Sequence, residues 1–434
     1  MIESTDRHGY AEANIRSVIA GAGVSRPTFY DYFEDHDACF TAAINDVQAQ
    51  AEQAVAAALR RPGTSPQQAA LRALVELSAE HPKRARFLME ETMAGGRLGL
   101  NQRDQGVARI ARAIDQAAAS DPAKELVDLP TRVLVGTAYR LIGTRLRRGE
   151  ALLGKLADEL DTWVSAYMRP PEVLRWTQLE PGVAPPASPH VPDAAIQQMP
   201  AALPPGRPAL KPGEVAENHR LRILHATASL AASKGYAATT VTDIIRSARI
   251  DGRAYYRLFT DKRDAFTAMH ESGFRQVMDV TAKAYFSVQG WPQRSWEVGR
   301  ALMQLLEAYP LIARLGFVEA YAVGPSAVQR IQESQTAFGF FLQEGLMEVR
   351  DRPSPTQAGM EAIVAAIFEI IYLAARPRGR VRTAGLQPHV AHVWLAPFLG
   401  PERCEALIDA RMRTRPSRRK PGVRRDAETG SPKR

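Results

Sequence analysis

Apolar residues along this chain recur every three or four positions, the spacing of one face of an α-helix. The pattern holds over Ala49–Leu59, Gln67–Ser78, Val133–Leu146, Leu221–Ser233, Trp296–Tyr309 and Glu361–Ala375. Strict alternation bounded by hairpin turns is missing, so the chain reads as all-α. Two segments, near 131–147 and 361–375, are apolar on much of their circumference, as buried helices are. Gly136 and Gly143 lie on one helix face there and permit a neighbour's close approach. The periodicity fails in two places. Residues 170–213 hold twelve of the thirty prolines, in runs such as Pro185-Pro186-Ala187-Ser188-Pro189 and Pro204-Pro205-Gly206, and read as an extended, semi-rigid linker. Beyond about Arg413 the chain is rich in Arg, Pro and Ser and reads as a disordered tail.

The pattern of the first half returns in the second. Residues 9–42 lie on 235–268 without a gap, at an offset of 226, with eleven identities from Gly9/Gly235 and Tyr10/Tyr236 through Tyr30/Tyr256 and Phe33/Phe259 to Ala42/Ala268. Pro82, Ala85, Arg86, Glu91, Ala94 and Gly96 match Pro310, Ala313, Arg314, Glu319, Ala322 and Gly324 at 228, and Trp163 and Tyr167 face Trp394 and Phe398 at 231. The period is a domain pair, far longer than a solenoid repeat. The unit spans about 9–170 and 235–401.

In the second copy an amphipathic helix from about Arg220 ends at Gly235. Thr240 is placed to N-cap the next helix, with Asp243 three residues on, and Asp251 to cap a third that runs through Phe259. In the first copy Asn14 and Ser25 take the capping places, Gly21-Ala22-Gly23 makes the turn, and Pro27 falls in a first helical turn where no donor is lost. Two short helices joined by a small-residue turn form a helix-turn-helix, whose second helix fits a DNA major groove.

The strings Gly21–Phe33 and Thr239–Lys262, each a helix ending in Tyr-x-x-Phe, resemble the tetracycline-repressor (TetR) family. The resemblance implies an all-helical regulator with an N-terminal DNA-binding domain and a larger helical domain that binds a small ligand and dimerises. By that analogy Arg26, Thr28, Tyr30, Thr240, Arg253, Tyr255 and Tyr256 face DNA, and Lys262, with His36 in its place in the first copy, meets a phosphate. An arginine of this kind can donate a bidentate pair to guanine, while tyrosine hydroxyls and a lysine position the protein on phosphates. Core packing is the competing role for each aromatic, strongest for Phe33 and Phe259 and also open for Phe29. The expected layout is a helix-turn-helix domain at 1–45 with a truncated first helix, a helical regulatory domain at 46–170, the linker at 171–215, a complete helix-turn-helix domain at 216–271, a second regulatory domain at 272–412 and the basic tail at 413–434.

Charge separates the two copies. The net charge of +9 lies mostly in the tail, where Arg411–Arg434 carries ten Lys/Arg against Asp426 and Glu428. Residues 1–45 hold three Lys/Arg and seven acids, whereas residues 216–271 hold nine and six. Phosphate neutralisation supplies most nonspecific DNA affinity, so the second head is expected to bind more strongly. The eight residues before Gly9 are too few for the leading helix of the second copy, so the first domain is expected either to lack part of its core or to start upstream.

Only Cys39 and Cys404 occur, one in each half, which argues against a disulfide framework and fits a reducing, cytoplasmic setting. Ala362–Ala375 is interrupted by Glu369 and is shorter than a membrane span, so no membrane partner is expected. No phosphate loop, nucleophile elbow or metal cluster appears, which argues against an enzyme, and no cofactor is implied. His389 and His392 share a helix face without an evident third ligand. The second regulatory domain is rich in aromatics, and Phe317, Tyr321, Phe338, Phe341, Phe368 and Tyr372 are its candidate lining for a hydrophobic small-molecule effector. Plain core packing competes for each of them. The linker is long enough for the two copies to pair within one chain, at an effective concentration on the order of millimolar, and to place two recognition helices about one DNA turn apart. A homodimer of whole chains stays open. The rival function is a ligand-binding or protein-interaction module whose helix-turn-helix domains no longer bind DNA.

Overall fold

The structure is a computed structural model. It describes residues 1–413 apart from 11, 62, 64, 121–124, 150–152, 194–197, 204–210, 351 and 378. The basic tail from 414 onward, the Pro204–Gly206 run and the Ala11/Ala237 identity therefore fall wholly or partly outside the described residues. The described residues are helical except for loops and one short antiparallel pairing, Leu126–Val127 with Met168–Arg169.

The capping residues delimit the repeat as the sequence implies. Copy one runs Ile2–His8, Ile15–Ala22, Arg26–Tyr32 and His36–Leu59, and copy two runs Pro212–Lys234, Val241–Ala248, Gly252–Leu258 and Lys262–Phe286. Asn14 Oδ1 accepts the Ser17 N–H at 3.0 Å, and Thr240 Oγ1 accepts the Asp243 N–H at 3.1 Å. Ser25 and Asp251 cap the third helices, and Asp35 and Asp261 cap the fourth. Each of these satisfies a backbone donor that a helix N-terminus leaves orphaned. The leading helix of copy one is present but has only seven residues, against 23 in copy two.

That difference shapes the two heads. In copy one Val18, Phe29 and Cys39 form a separate small cluster, flanked by Met1, Ile15, Ile19 and Phe33. In copy two Ile244, Ala248, Tyr255 and Phe259 are continuous with the main core of the molecule, through Ile223 and Leu224 of the long leading helix.

The proline-rich segment, expected as an extended, semi-rigid linker, takes partners along its length. It lies along the second half as a docked strap. Trp176 is buried between the rings of His389 and His392, at 5.3 and 5.5 Å. The Gly182 N–H donates to Gly385 O at 3.0 Å, the Ser188 N–H to Gln304 Oε1 at 2.6 Å, and the Tyr309 hydroxyl to Asp193 O at 2.7 Å. A strand of prolines makes few internal hydrogen bonds, so its free carbonyls and amides take partners on the helices beneath. A Cβ on Gly385 would meet Gly182 O at 2.5 Å, so the approach needs glycine there. The helix after the strap begins at Pro212, earlier than the periodicity suggests, because proline suits a first helical turn.

Helices Thr131–Arg147 and Gln357–Ala375 pack against each other between the halves. Gln357–Ala375 is long and apolar enough to cross a membrane, yet 78% of that stretch is buried inside the protein. Glu369, near its middle, is fully buried and meets two arginines of the first half. Arg103 donates to it bidentately, Nη1 to Oε1 and Nη2 to Oε2, both at 3.0 Å, and Arg140 Nε donates to Oε2 at 2.7 Å. A Cβ on Gly136 would stand 2.3 Å from Glu369 Oε1, so that glycine makes room for the carboxylate. Burial alone would raise the Glu369 pKa, but the two guanidiniums outweigh it and hold it below the usual value.

Removing one member of a buried ionic cluster strands its partners. Glu369→Leu is expected to lower the unfolding free energy by about 3–5 kcal/mol, read from urea unfolding followed by circular dichroism. An unchanged midpoint would contradict the role given to this carboxylate.

Candidate functional site

The second recognition helix, Gly252–Leu258, presents Arg253, Tyr256 and Arg257 to solvent, with Arg246 and Arg249 exposed on the helix and turn before it. Arg249 has φ +49°, the left-handed conformation that Gly23 takes at the matching place in copy one with φ +67°. Thr240 is exposed and its hydroxyl is engaged in the cap with Asp243, whose carboxyl is held well below the usual range by Lys234 and by the Thr240 hydrogen bonds. Two expectations are corrected here. Tyr255 does not face outward. It is fully buried, its hydroxyl donates to Asp261 O at 2.9 Å, and burial pushes its pKa up. It occupies the core position that Phe29 holds in copy one. The ammonium of Lys262 is turned inward, donating to the carbonyls of Tyr236, Ala237 and Thr239 at 3.0–3.2 Å and lying 4.5 Å from the Tyr236 ring. A single ammonium has three donors, and three carbonyls at a tight turn satisfy all of them.

In copy one Arg26 and Tyr30 are exposed, Thr28 is half-buried, and Arg26 Nη2 donates to the Tyr30 hydroxyl at 3.4 Å. Thr28 shares its hydroxyl with the cap, 2.8 Å from Ser25 Oγ. His36 packs against the Tyr10 ring at 5.6 Å, as Lys262 does on Tyr236, and lies 3.6 Å from Asp37. On this head the exposed acids Glu3, Glu12, Asp31, Glu34, Asp35 and Asp37 outnumber the exposed arginines Arg7, Arg16 and Arg26. Asp31 stands where copy two has Arg257. Tyr30 and Tyr256, at matching positions, are 45% and 62% exposed, which leaves both rings free to meet a partner.

Each head is tied to the helical body by the same bond. The Tyr10 N–H donates to Glu91 Oε2 at 2.7 Å, and the Tyr236 N–H donates to Glu319 Oε2 at 3.0 Å. Tyrosine and glutamate are both repeat positions, so the duplication preserves a contact as well as a shape. Both glutamates have pKa values raised, chiefly by burial, with the backbone hydrogen bond opposing it.

Two of the cavities in the body take residues of the expected aromatic set. The smaller, about 330 Å³, is lined by Phe317, Phe338 and Phe368 of the expected set. Residues that the aromatic pattern did not single out, Leu221, Leu224, His225, Met269, His270 and Ile312, complete it. The i, i+4 rows 221/225 and 269/273 on two facing helices carried that signal. Burial lowers the pKa of both histidines. The other expected lining residues go elsewhere. Phe341 packs on Tyr285 at 5.0 Å, and the Tyr372 hydroxyl donates to Asp104 at 2.7 Å, so their surfaces are used in packing and in the ionic cluster. Tyr321 lines a larger cavity of about 510 Å³, between the halves, and its hydroxyl accepts from Arg140. Among the described residues no group of three or more His, Cys, Asp or Glu is placed to hold a metal. His389 and His392 instead meet the carbonyls of Gln178 and Asp128 at 2.7 and 3.0 Å, and burial lowers the His392 pKa to about 3.

The profile described as "Bacterial regulatory proteins, tetR family" matches residues 3–43 and again 223–269. A putative TetR-family transcriptional regulator from Syntrophomonas wolfei str. Goettingen is similar at 16% identity, over 45% of this chain and 93% of that one, with a TM-score of 0.32. No curated protein matches the chain.

Glu90 lines the larger cavity, and burial pushes its pKa to about 7, against the opposing pull of Arg147 and Arg86. A carboxyl whose pKa is raised on folding binds its proton more tightly in the native state, so its contribution to stability declines as pH rises from its unfolded to its folded pKa. The stability of Glu90→Gln relative to the parent is therefore expected to rise between pH 4.5 and about 7, by up to about 3 kcal/mol, in paired urea titrations across that range. A flat difference would rule it out.

Proposed function

The chain belongs, in both of its halves, to the tetR family of bacterial regulatory proteins, and from that premise we propose a ligand-responsive transcriptional repressor that binds its operator as an intrachain pseudo-dimer, the second head dominating. The observation that carries the last point is the contrast between exposed faces. Arg246, Arg249, Arg253 and Arg257 stand on the second head, and Asp31, Glu34, Asp35 and Asp37 on the first. Phosphate contacts supply most of the nonspecific affinity, and an acidic face forfeits them. On this reading Arg253 and Tyr256 read or position DNA, with Thr240 beside them, while Arg26, Thr28 and Tyr30 add a weaker, unlike half-site. Lys262 and His36 shape their heads from within.

Pairing within one chain is supported by the central cluster. An offset of 229, within the drift of the repeat, aligns Val135 with Val364, Arg147 with Arg376 and Arg140 with Glu369. In a two-fold interface, matching positions near the axis face each other. Here the matching positions are an arginine and a glutamate, and they bond to each other. Two identical copies would set like charges face to face. The effector is proposed as a hydrophobic small molecule in the cavity lined by Phe317, Phe338 and Phe368, and the setting as the cytoplasm.

Fluorescence anisotropy with duplexes that tile the DNA flanking the gene tests this reading. Arg253→Ala is expected to weaken binding by about 1–3 kcal/mol, and Arg26→Ala by less. A larger loss from Arg26→Ala would reverse the order of the heads. Failure of the parent chain to bind any duplex would favour the rival reading, a ligand-binding or interaction module.

A further inference from the structure

The larger cavity differs from the apolar one in chemistry as well as place. Its walls come from both halves and from both heads, with Tyr10 and Glu91 of the first latch on one side and Arg263 on another. Met89, Met93, Val323, Val328 and Ile331 give it an apolar side. Its charged side carries Arg86, Arg140 and Arg147 together with the carboxylates Asp6, Glu12, Glu90 and Glu91.

Two of these arginines have carboxylates of their own. Arg86 Nη1 lies 3.1 Å from Asp6 Oδ1, and Arg147 Nη2 lies 2.7 Å from Glu90 Oε1. Arg140 does not. Its carboxylate, Glu369, is shared with Arg103. Arg103 also lies 3.5 Å from Asp104, which Arg376 approaches at 3.1 Å. Arg140 thus shares its one carboxylate with a second arginine. Arg140 is 94% buried, since 6% of its side chain is exposed, and its Nη2 has no hydrogen-bond partner. The Nε atoms of Arg86 and Arg147 are likewise buried without a hydrogen-bond partner, though Arg86 Nε lies 3.8 Å from Glu90 Oε2. Buried guanidinium donors in surplus call for an oxyanion, and a planar carboxylate matches their geometry.

We propose that this cavity binds a small amphipathic carboxylate, its head group beside Arg140 and Arg147 and its apolar body against Met89, Met93 and Val328. The inference rests on the reading that the helical body takes an effector, and it adds a second, anion-selective site that both halves build together. A ligand there lies against Tyr10 and Glu91, and so touches the bond that ties the first head to the body.

Isothermal titration calorimetry on the full chain, without DNA, provides the test. The probes are decanoate, decanol and decylammonium. Decanoate is expected to bind saturably at one site. Arg140→Gln should weaken it roughly tenfold or more, as the loss of a charge-assisted hydrogen bond does, and Val328→Trp, which fills the cavity away from the ionic cluster, should abolish it. Decanol should bind more weakly than decanoate and be indifferent to Arg140→Gln. Each variant's fold is checked by circular dichroism, and if Arg140→Gln does not fold, Arg147→Gln replaces it. No saturable decanoate binding, equal affinity for decanol or decylammonium, or undiminished binding to Val328→Trp would each overturn the proposal. Because no DNA is present, such a result leaves the DNA-binding reading standing, and loss of operator binding alone would leave this site standing.

Discussion

The rest of the structure depends on a carboxylate buried in an apolar helix. Glu369 sits among alanines, isoleucines and valines of Gln357–Ala375 with no access to solvent. Taking such a group out of water costs several kcal/mol unless cations come with it. Both cations here come from the other half of the chain. The second body therefore cannot bury its central helix without the first body in place. The hydrophobic packing of the two central helices supplies most of the adhesion between halves, while the ionic cluster fixes which surfaces meet and in what register. Gly136 follows from the same constraint, since only a residue without a side chain leaves space for the carboxylate.

Around that fixed centre the two copies differ in surface charge while keeping their joints. The caps at Asn14 and Thr240, at Ser25 and Asp251, and at Asp35 and Asp261 hold matching helices. The surfaces those helices present have opposite charge. Short-range backbone chemistry constrains the caps, because an orphaned N–H must be satisfied wherever a helix starts. Solvent-facing positions carry no such obligation and can change sign without loss of fold. The first head has gone further and rests on a small core of its own.

The features legible in the sequence were the ones that local rules control. Helical periodicity, caps and the repeat gave the all-α, tandem architecture and the helix-turn-helix placement. Side-chain direction at the ends of short helices was harder. Tyr255 and Tyr256 are adjacent and chemically identical, and only the turn of the helix decides that one is core and the other surface. The inward turn of Lys262, which the resemblance places on a phosphate, is hidden because its partners are carbonyls, which every residue has and no sequence pattern marks. The docking of the strap is hidden in the sequence for a related reason. Proline content shows that a segment is extended, but not what it lies against. The cavity lining is legible only in part, since aromatic content does not distinguish Phe338, which lines a cavity, from Phe341, which packs on Tyr285.

The paired bonds Tyr10–Glu91 and Tyr236–Glu319 bear on how the two heads respond to the body. A hydrogen bond from a backbone amide to a buried carboxylate is worth about 1.5–3 kcal/mol. Coupling free energies between distant sites typically run about 1–3 kcal/mol. Breaking one such bond thus covers the whole range by which an effector ordinarily shifts DNA affinity. On the function proposed above, motion of the body reaches the first head through this bond together with the Asp6–Arg86 and Glu3–Lys83 pairs, and the second through this bond together with the core it shares with its long leading helix. Because the two heads are held by different sets of contacts, they need not release together, and a single chain then has four head states where a symmetric dimer moving in concert has two.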